Sequence, residues 1–567
     1  MKKLIFADGK NDFLDNAERI FLARIVERDC HLTKGIKITI QLDRQYEAEK
    51  YAISGPQGGD LLLSGGSEAA LLYALGKLLR TGNFANGFFT PGTWRGAVTP
   101  QKHFRCVYFA SHFFNCYHVG PEAMVQHYIE DMALLGYNYI SLTVSKHIYP
   151  KNDQRLAKEY ARYRRLLLFA NSLGMKARVG ISNVGSCDND ESILAKPTGR
   201  SFFGTEICPS IPEGLEQIVA NNIHFLEQIK DVDVGNVNVW SYDQGGCGCE
   251  KCAPYGANGM FIWADKLVPT IHELWPDCKI SWATWLYDRE GFPLGEWEGL
   301  YKRINEGKAD YIDYIMADSH DSFPEYPLKH QLPQNVKLIT FPEISMYGRS
   351  PWGGFGATPQ PKRFARLWGE VCHLSDGGVL YSEGVFEDFN KVLYAQFFTT
   401  GNNETQLAVD EYARFYLGIP ESQLGKFYRL LEIFEDNHKG LVWWRSAQWE
   451  MLEPMKNKPL YRSKGKTWRN SGEAYTIVCE LDKIIPAWAR KIWRWRIIFL
   501  RALIDDQLAQ NANEPNDQVE GALTELFHIY QLDVNTATRR ITPYTNEWLK
   551  YGHDTTPVQI TKKIGLD

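Results

Sequence analysis

The sequence contains no apolar run approaching the ~18 residues that a transmembrane helix needs, which excludes a membrane-spanning helix. It has no surplus of positive charge either. Lys and Arg number 63 against 68 Asp and Glu, a net charge of −5, so the basic face that grips phosphates is not indicated. Neither a nucleic acid nor an anionic membrane is expected as a partner. Cysteine is present but not in the even, regular spacing of a disulfide framework. Eleven scattered residues predict reduced thiols. No glycine fingerprint follows the first strand of the α/β part, and there is no phosphate loop and no Ser nucleophile elbow. The opening MKKLIFADGKNDF reaches Asp8 too soon to hold the apolar core of about 7–15 residues that marks a secretion leader. The expectation is a cytoplasmic protein, or a periplasmic one if a leader has been removed.

At 567 residues the chain exceeds what one hydrophobic core organises, and its patterning changes twice. Residues 1–100 read as a small α+β domain. KGIKITIQLD (34–43), EKYAISG (49–55) and DLLLSGG (60–66) are β-like, and SEAALLYALGKLLRTG (67–82) is an amphipathic helix with Ser67 as N-cap and Gly82 at its exit. Residues 101–400 alternate strand and helix. The strands are FRCVYFAS (104–111), NYISLTVS (138–145), KARVGISN (176–183), the run from Val234 to Trp240, KISWATWLY (279–287), DYIDYIMAD (310–318), NVKLITFPE (335–343) and GGVLYSEG (377–384). Eight strands alternating with helices over this length predict a (β/α)8 TIM barrel. Residues 401–567 read as helices only, including one long helix over 471–510, and predict a C-terminal α-helical domain. The Trp, Arg and Lys interleaved in ARKIWRWR (489–496) fit a helix packed on the barrel.

A barrel carries its chemistry at the C-terminal ends of its strands. Those positions hold Ser111, His112 and Asn115; Lys146, His147 and Tyr149; Asn183; Tyr242, Asp243 and Gln244; Trp282, Trp285, Tyr287 and Asp288; Asp318, His320 and Asp321; Glu343, Met346 and Tyr347; Tyr381, Glu383, Glu387 and Asp388. Asp388 is expected to cap the helix beginning at Phe389. Carboxylates from several strands, with aromatic rings among them, suit hydrolysis of a glycosidic bond. That reaction needs one acid on the leaving oxygen and a second group acting at the anomeric carbon. Aromatic content of 13 %, with 17 Trp, agrees with stacking on sugar faces, although core packing accounts for most of the rings. Asp243, Glu343 and Glu383 each follow an apolar strand and are the candidate catalytic residues. Asp243 or Glu343 is expected as general acid, and Glu383 as base or nucleophile. Arg105, His147, Asn183, Tyr242, Gln244, Trp285, Tyr287, His320 and Tyr381 are the candidate sugar-binding residues.

A small α+β domain before a barrel resembles the architecture of family 20 β-hexosaminidases and family 67 α-glucuronidases. FRCVYFASHF resembles the first-strand segment of family 20, which implies that Arg105 grips sugar hydroxyls. YDQGG resembles the fourth-strand Gly-Asp-Glu motif, which implies that Asp243 orients a substrate acetamide. The general-acid Glu of that motif is Gln244 here, and an amide donates no catalytic proton at neutral pH. The segment GVLYSEGVFEDFNKVLYAQF (378–397) and CGCEKC resemble glucuronidase-like relatives, whose inverting chemistry uses carboxylates from several strand tips. The resemblance implies an exo-acting glycoside hydrolase that removes a terminal uronic acid or N-acetylhexosamine from an oligosaccharide or glycan. A substrate-assisted β-N-acetylhexosaminidase and a non-catalytic carbohydrate-binding protein are the alternatives, with a homo-oligomer left open.

Two further stretches carry expectations. Cys247, Cys249 and Cys252 would hold zinc if a fourth ligand such as Cys187 or Cys208 folded over them. No second CxxC exists in the chain, so a packed thiol cluster bracing the loop is expected, with no metal and no cofactor. GRSPWGGFGATPQPK (348–362) is too rich in Gly and Pro for regular structure, and Trp352 and Phe355 on it would cover a bound sugar.

Overall fold

A computed structural model describes residues 4–111, 115–144, 146, 149–197, 204–241, 246–288, 294–345, 356–438 and 468–530. The N-terminal region is a mixed sheet in the order β1 (Leu4–Phe6), β3 (Ile38–Leu42), β5 (Leu61–Gly65), β4 (Tyr51–Ser54), β8 (Gly96–Val98). The first three strands are parallel, and β4 is antiparallel to both of its neighbours. A second small sheet holds β2 (His31–Leu32), β7 (Phe88–Thr90) and β6 (Asn83–Ala85), in that order. The expected amphipathic helix runs Glu68–Thr81. Ser67 Oγ accepts from the Ala70 amide at 3.2 Å, and Gly82 follows the last turn. Its residues from Ala70 to Arg80 are buried, because the helix lies between the sheet and the barrel. Gly76 permits that approach, since a Cβ there would stand 2.0 Å from the Leu134 carbonyl oxygen.

The barrel closes as expected from eight parallel strands: β9 (Phe104–Phe109), β10 (Tyr139–Leu142), β11 (Lys176–Ile181), β12 (Val234–Val239), β13 (Lys279–Ala283), β14 (Ile312–Asp318), β15 (Lys337–Phe341) and β16 (Ser375–Ser382), with β16 pairing back onto β9. Side chains alternate between two environments, as the period of two in a strand requires. Phe104, Cys106, Tyr108, Trp240, Ala283, Met316, Ile339, Phe341 and Val379 form a core inside the barrel. Val107, Phe109, Val237, Val239, Ile280, Trp282, Ile315, Leu338 and Leu380 join the larger core beneath the helices. A polar layer interrupts the interior. Ser281 Oγ lies 2.9 Å from both Asn236 Oδ1 and Asn238 Oδ1, and the buried Arg178 reaches Met316 Sδ at 3.0 Å.

The C-terminal region is helical, but the expected helix over 471–510 is three: Ser471–Ile484, Ala487–Lys491 and Trp493–Gln510. Pro486 explains the first break, because proline removes a helical donor and pushes the preceding residue out of the α conformation. Arg494 carries the docking onto the barrel. It donates to Asp388 Oδ2 at 2.8 Å and Asp131 Oδ2 at 2.7 Å, and Asp131 accepts from Arg24 of the N-terminal region at 2.8 Å. All four side chains are buried, so one alternating chain of charges joins the three regions. Burial alone would raise the Asp131 carboxyl, but the Arg24 and Arg494 guanidiniums outweigh it and hold the group well below the usual carboxylate range. Asp388 is therefore an ion-pair anchor in the first helical turn, and the N-cap position belongs to Glu387. Among the described residues no helix is long and apolar enough to cross a membrane.

Candidate active site

Continuing each interior strand by two residues places a set of side chains at the C-terminal mouth. Phe341 leads to Glu343, Tyr381 to Glu383, Ala283 to Trp285 and Met316 to Asp318. Glu343 is buried just beyond β15. Its Oε1 accepts from the Ser345 amide at 2.8 Å and from Ser345 Oγ at 2.7 Å. A parallel bridge sets Glu343 beside Tyr381 of the neighbouring strand. The Tyr381 hydroxyl donates to Glu383 Oε1 at 2.9 Å, and Glu383 is fully buried. The Glu383 carbonyl accepts from the Tyr530 hydroxyl at 2.9 Å, so the last described helix of the chain backs this corner of the mouth. Two buried carboxyl groups, each fixed by a hydroxyl donor, thus stand on adjacent strands.

The floor beneath them is aromatic. Tyr381 meets Tyr108 edge-on at 5.2 Å between centroids, and Trp285 and Trp240 meet Phe341 edge-on at 5.7 and 5.2 Å. The Trp285 indole N–H is buried without a partner among the described residues. Across the mouth, at the tips of β10 and β11, a cavity of about 90 Å³ is lined by Tyr108, Thr143, Lys146, Ser182 and Trp240 among others. Burial pushes the Lys146 ammonium down to about 8. Tyr108 contributes to both the cavity and the aromatic floor, so Lys146 and the two carboxylates belong to one mouth. His320 lies beyond β14, its amide bonded to Asp318 Oδ1 at 2.9 Å, and is half-buried.

Three sequence-based expectations are corrected by direction. Arg105 shares the outward parity of Val107 and Phe109 and sits near the start of β9, away from the mouth. Its guanidinium donates to both Glu49 oxygens at 2.6 and 2.8 Å and to the Gly136 carbonyl at 2.7 Å, joining the barrel floor to the N-terminal region. Asn183 shares the outward parity of Ile181, and its amide donates to the Ile207 carbonyl at 3.0 Å. It ties down the loop after β11. Tyr287 has left the strand and is buried against the helix Gly259–Leu274, where its hydroxyl accepts from Trp282 Nε1 at 2.9 Å. Other tip residues also serve the fold. Asn115 caps a short helix, Tyr149 bonds Glu159, and Glu387 accepts from the Gly384 amide. Asp318, which the sequence places at a tip without a role, is a further candidate at the mouth. Its signal was the alternation with Met316. His112, His147, Tyr242, Asp243, Gln244, Met346, Tyr347, Trp352 and Phe355 lie outside the described residues.

The three cysteines after β12 gain the fourth member that the sequence left open between Cys187 and Cys208. Cys208, from the loop after β11, joins Cys247, Cys249 and Cys252, while Cys187 stays exposed and apart.

No protein-family model and no curated protein matches the sequence. Solved structures do match the fold. A family GH115 4-O-methyl-α-glucuronidase with specificity for decorated arabinogalactans superposes with a TM-score of 0.60 at 9 % identity, covering 95 % of this chain and 78 % of that one. A GH138 enzyme targeting pectin rhamnogalacturonan II gives 0.56 at 11 % identity, with coverages of 98 and 77 %. A family 89 glycoside hydrolase from Clostridium perfringens, in complex with 2-acetamido-1,2-dideoxynojirimycin, gives 0.57 at 12 % identity, with coverages of 92 and 66 %. At such identities the likeness is one of fold.

Proposed function

We propose that the protein is an exo-acting glycoside hydrolase that uses carboxylate acid/base catalysis, with Glu343 and Glu383 as the reacting pair. The observation that carries this reading is the pair itself: two buried carboxyl groups on adjacent strand ends, above an aromatic floor that suits a sugar ring. One group protonates the leaving glycosidic oxygen, while the other activates water or attacks the anomeric carbon. In this reading Trp285, Tyr381, Asp318 and His320 orient the sugar, and Asp243, four residues before Cys247, is a further candidate acid from the fourth strand. The position of both buried carboxyl groups at the strand ends favours catalysis over a catalytically silent binding role.

Between a uronic acid and an N-acetylhexosamine, Lys146 favours the uronic acid. A carboxylate substrate would find in it a partner ammonium whose charge desolvation alone disfavours. One of the fold relatives is described as a 4-O-methyl-α-glucuronidase, which agrees with that preference. Gln244 in place of a general acid weighs against substrate-assisted hexosaminidase chemistry. The test is release of free monosaccharide from aryl uronides and aryl N-acetylhexosaminides, followed by chromatography. Turnover of a uronide supports the reading. Turnover of hexosaminides alone, inhibited by a thiazoline mimic, would replace it with the acetamide-assisted one.

A further inference from the structure

Two neighbouring βα loops bring four sulfurs to one point. Cys208 comes from the loop after β11, and Cys247, Cys249 and Cys252 come from the loop after β12. All four Sγ atoms lie within 4.8 Å of one another. Cys208 is 3.8 Å from Cys249 and 4.0 Å from Cys252. A disulfide would bring two sulfurs to about 2.05 Å. A zinc ion at about 2.3 Å from each sulfur of a regular tetrahedron sets every sulfur–sulfur edge at about 3.8 Å. The spacing matches the metal's tetrahedron and not the covalent bond.

We infer that Cys208, Cys247, Cys249 and Cys252 bind one zinc ion, which staples the β11 and β12 loops together at the mouth of the barrel. The surroundings suit thiolates. The Lys196 amide donates to Cys247 Sγ at 3.4 Å, and Ser210 Oγ lies 3.1 Å from Cys208 Sγ and 3.3 Å from Cys249 Sγ. The turn between the last two ligands is closed by the amides of Cys252 and Ala253 on the Cys249 carbonyl, at 3.0 and 2.9 Å. Cys208, Cys247 and Cys252 are buried and Cys249 is half-buried. Four thiolates complete the coordination and leave no open position, so the ion is structural.

Its location gives it a task. Cys208 directly follows Ile207, whose carbonyl is held by the Asn183 amide, and Cys247 follows Asp243 and Gln244 by four and three residues. The ion therefore anchors the loop that leaves the fourth strand close to that strand's polar tip. Metal binding there would add folding free energy to the packing that Cys247, Cys252 and Tyr255 already make in the core.

The experiment measures metal in the full chain purified under reducing conditions without chelator. Elemental analysis is expected to give one zinc per chain, and cobalt exchanged into the site is expected to show the visible bands of tetrahedral thiolate coordination. Cys208→Ser and Cys249→Ser should each lose most of the zinc on dialysis, whereas Cys187→Ser, on the same loop but outside the cluster, should retain one per chain. If the cluster variants fail to fold, zinc released from the wild-type chain by a mercurial reagent, read with a chromogenic chelator, decides the matter. A folded wild-type chain without zinc, or with Cys208 in a disulfide, would overturn the inference. So would zinc content unchanged by Cys208→Ser. None of these readouts depends on glycosidase activity.

Discussion

The Tyr381 hydroxyl donates to Glu383 Oε1 at 2.9 Å from two residues back on the same strand, so the barrel itself fixes the carboxylate's direction. A hydrogen bond to a charged acceptor contributes about 1.5–3 kcal/mol, and it favours the ionised form. Tyr381→Phe should lower kcat by about tenfold or more on that scale. It should also move the limb of the pH–rate profile governed by Glu383 to higher pH, because the carboxylate loses a donor. A profile unchanged in position would mean that Tyr381 only packs.

Lys146 supplies a second pH dependence. With its ammonium pushed down to about 8 by burial, it carries charge below that pH and loses it above. Affinity for an acidic sugar should fall as pH rises through 8, while affinity for a neutral sugar stays level. Bound carboxylate would raise the pKa and move the fall upward. Lys146→Met should raise KM for a uronide by about tenfold, the scale of one lost charge-assisted contact, without a matching effect on a neutral glycoside. Equal effects on both substrates would remove Lys146 from substrate recognition.

Arg105 separates structure from catalysis. Its guanidinium is committed to Glu49 on the far side of the barrel from the carboxylates. Arg105→Met should lower the melting temperature and leave KM unchanged in the folded fraction, and Glu49→Gln should behave alike. A rise in KM without loss of stability would return Arg105 to the sugar-binding set.

Alternating apolar strands and amphipathic helices made the barrel legible strand by strand, because burial on both faces leaves a continuous apolar signal. The positions of Glu343 and Glu383 at strand ends were legible because each directly follows that signal, and the position of Tyr381 because it lies within it. Arg105, expected at the sugar through the first-strand resemblance, lies near the start of β9 and one residue out of step with its interior row, and Asn183 is likewise out of step with the interior row of β11, so neither side chain faces the mouth. Tyr287 was misassigned because the chain turns at Leu286, whose positive φ of 63° ends the strand's alternation. Cys208 lies 39 residues before Cys247, a separation that only the adjacency of β11 and β12 closes.

Asp131 tests how the three regions are joined. Removing one member of a buried charge network leaves its partners unpaired at a cost of about 3–5 kcal/mol, so Asp131→Asn should lower unfolding stability by that order near neutral pH. The folded carboxyl titrates below its unfolded value. Its contribution is therefore complete above the unfolded pKa of about 3.9 and disappears as pH falls through the lower folded value. Denaturant titrations of the two proteins should converge on acidification below about pH 4. A difference that persists undiminished in strong acid would assign the effect to packing instead of charge.

The most direct measurement is the turnover of Glu343→Gln and Glu383→Gln beside the wild type on the aryl glycoside that the enzyme hydrolyses best. Both replacements keep shape and hydrogen bonding but cannot transfer the proton. Each is expected to lower kcat by about 10²–10⁴-fold with the melting temperature maintained within a few degrees. Near-normal turnover in both folded variants would contradict the assignment of this carboxylate pair as the catalytic machinery.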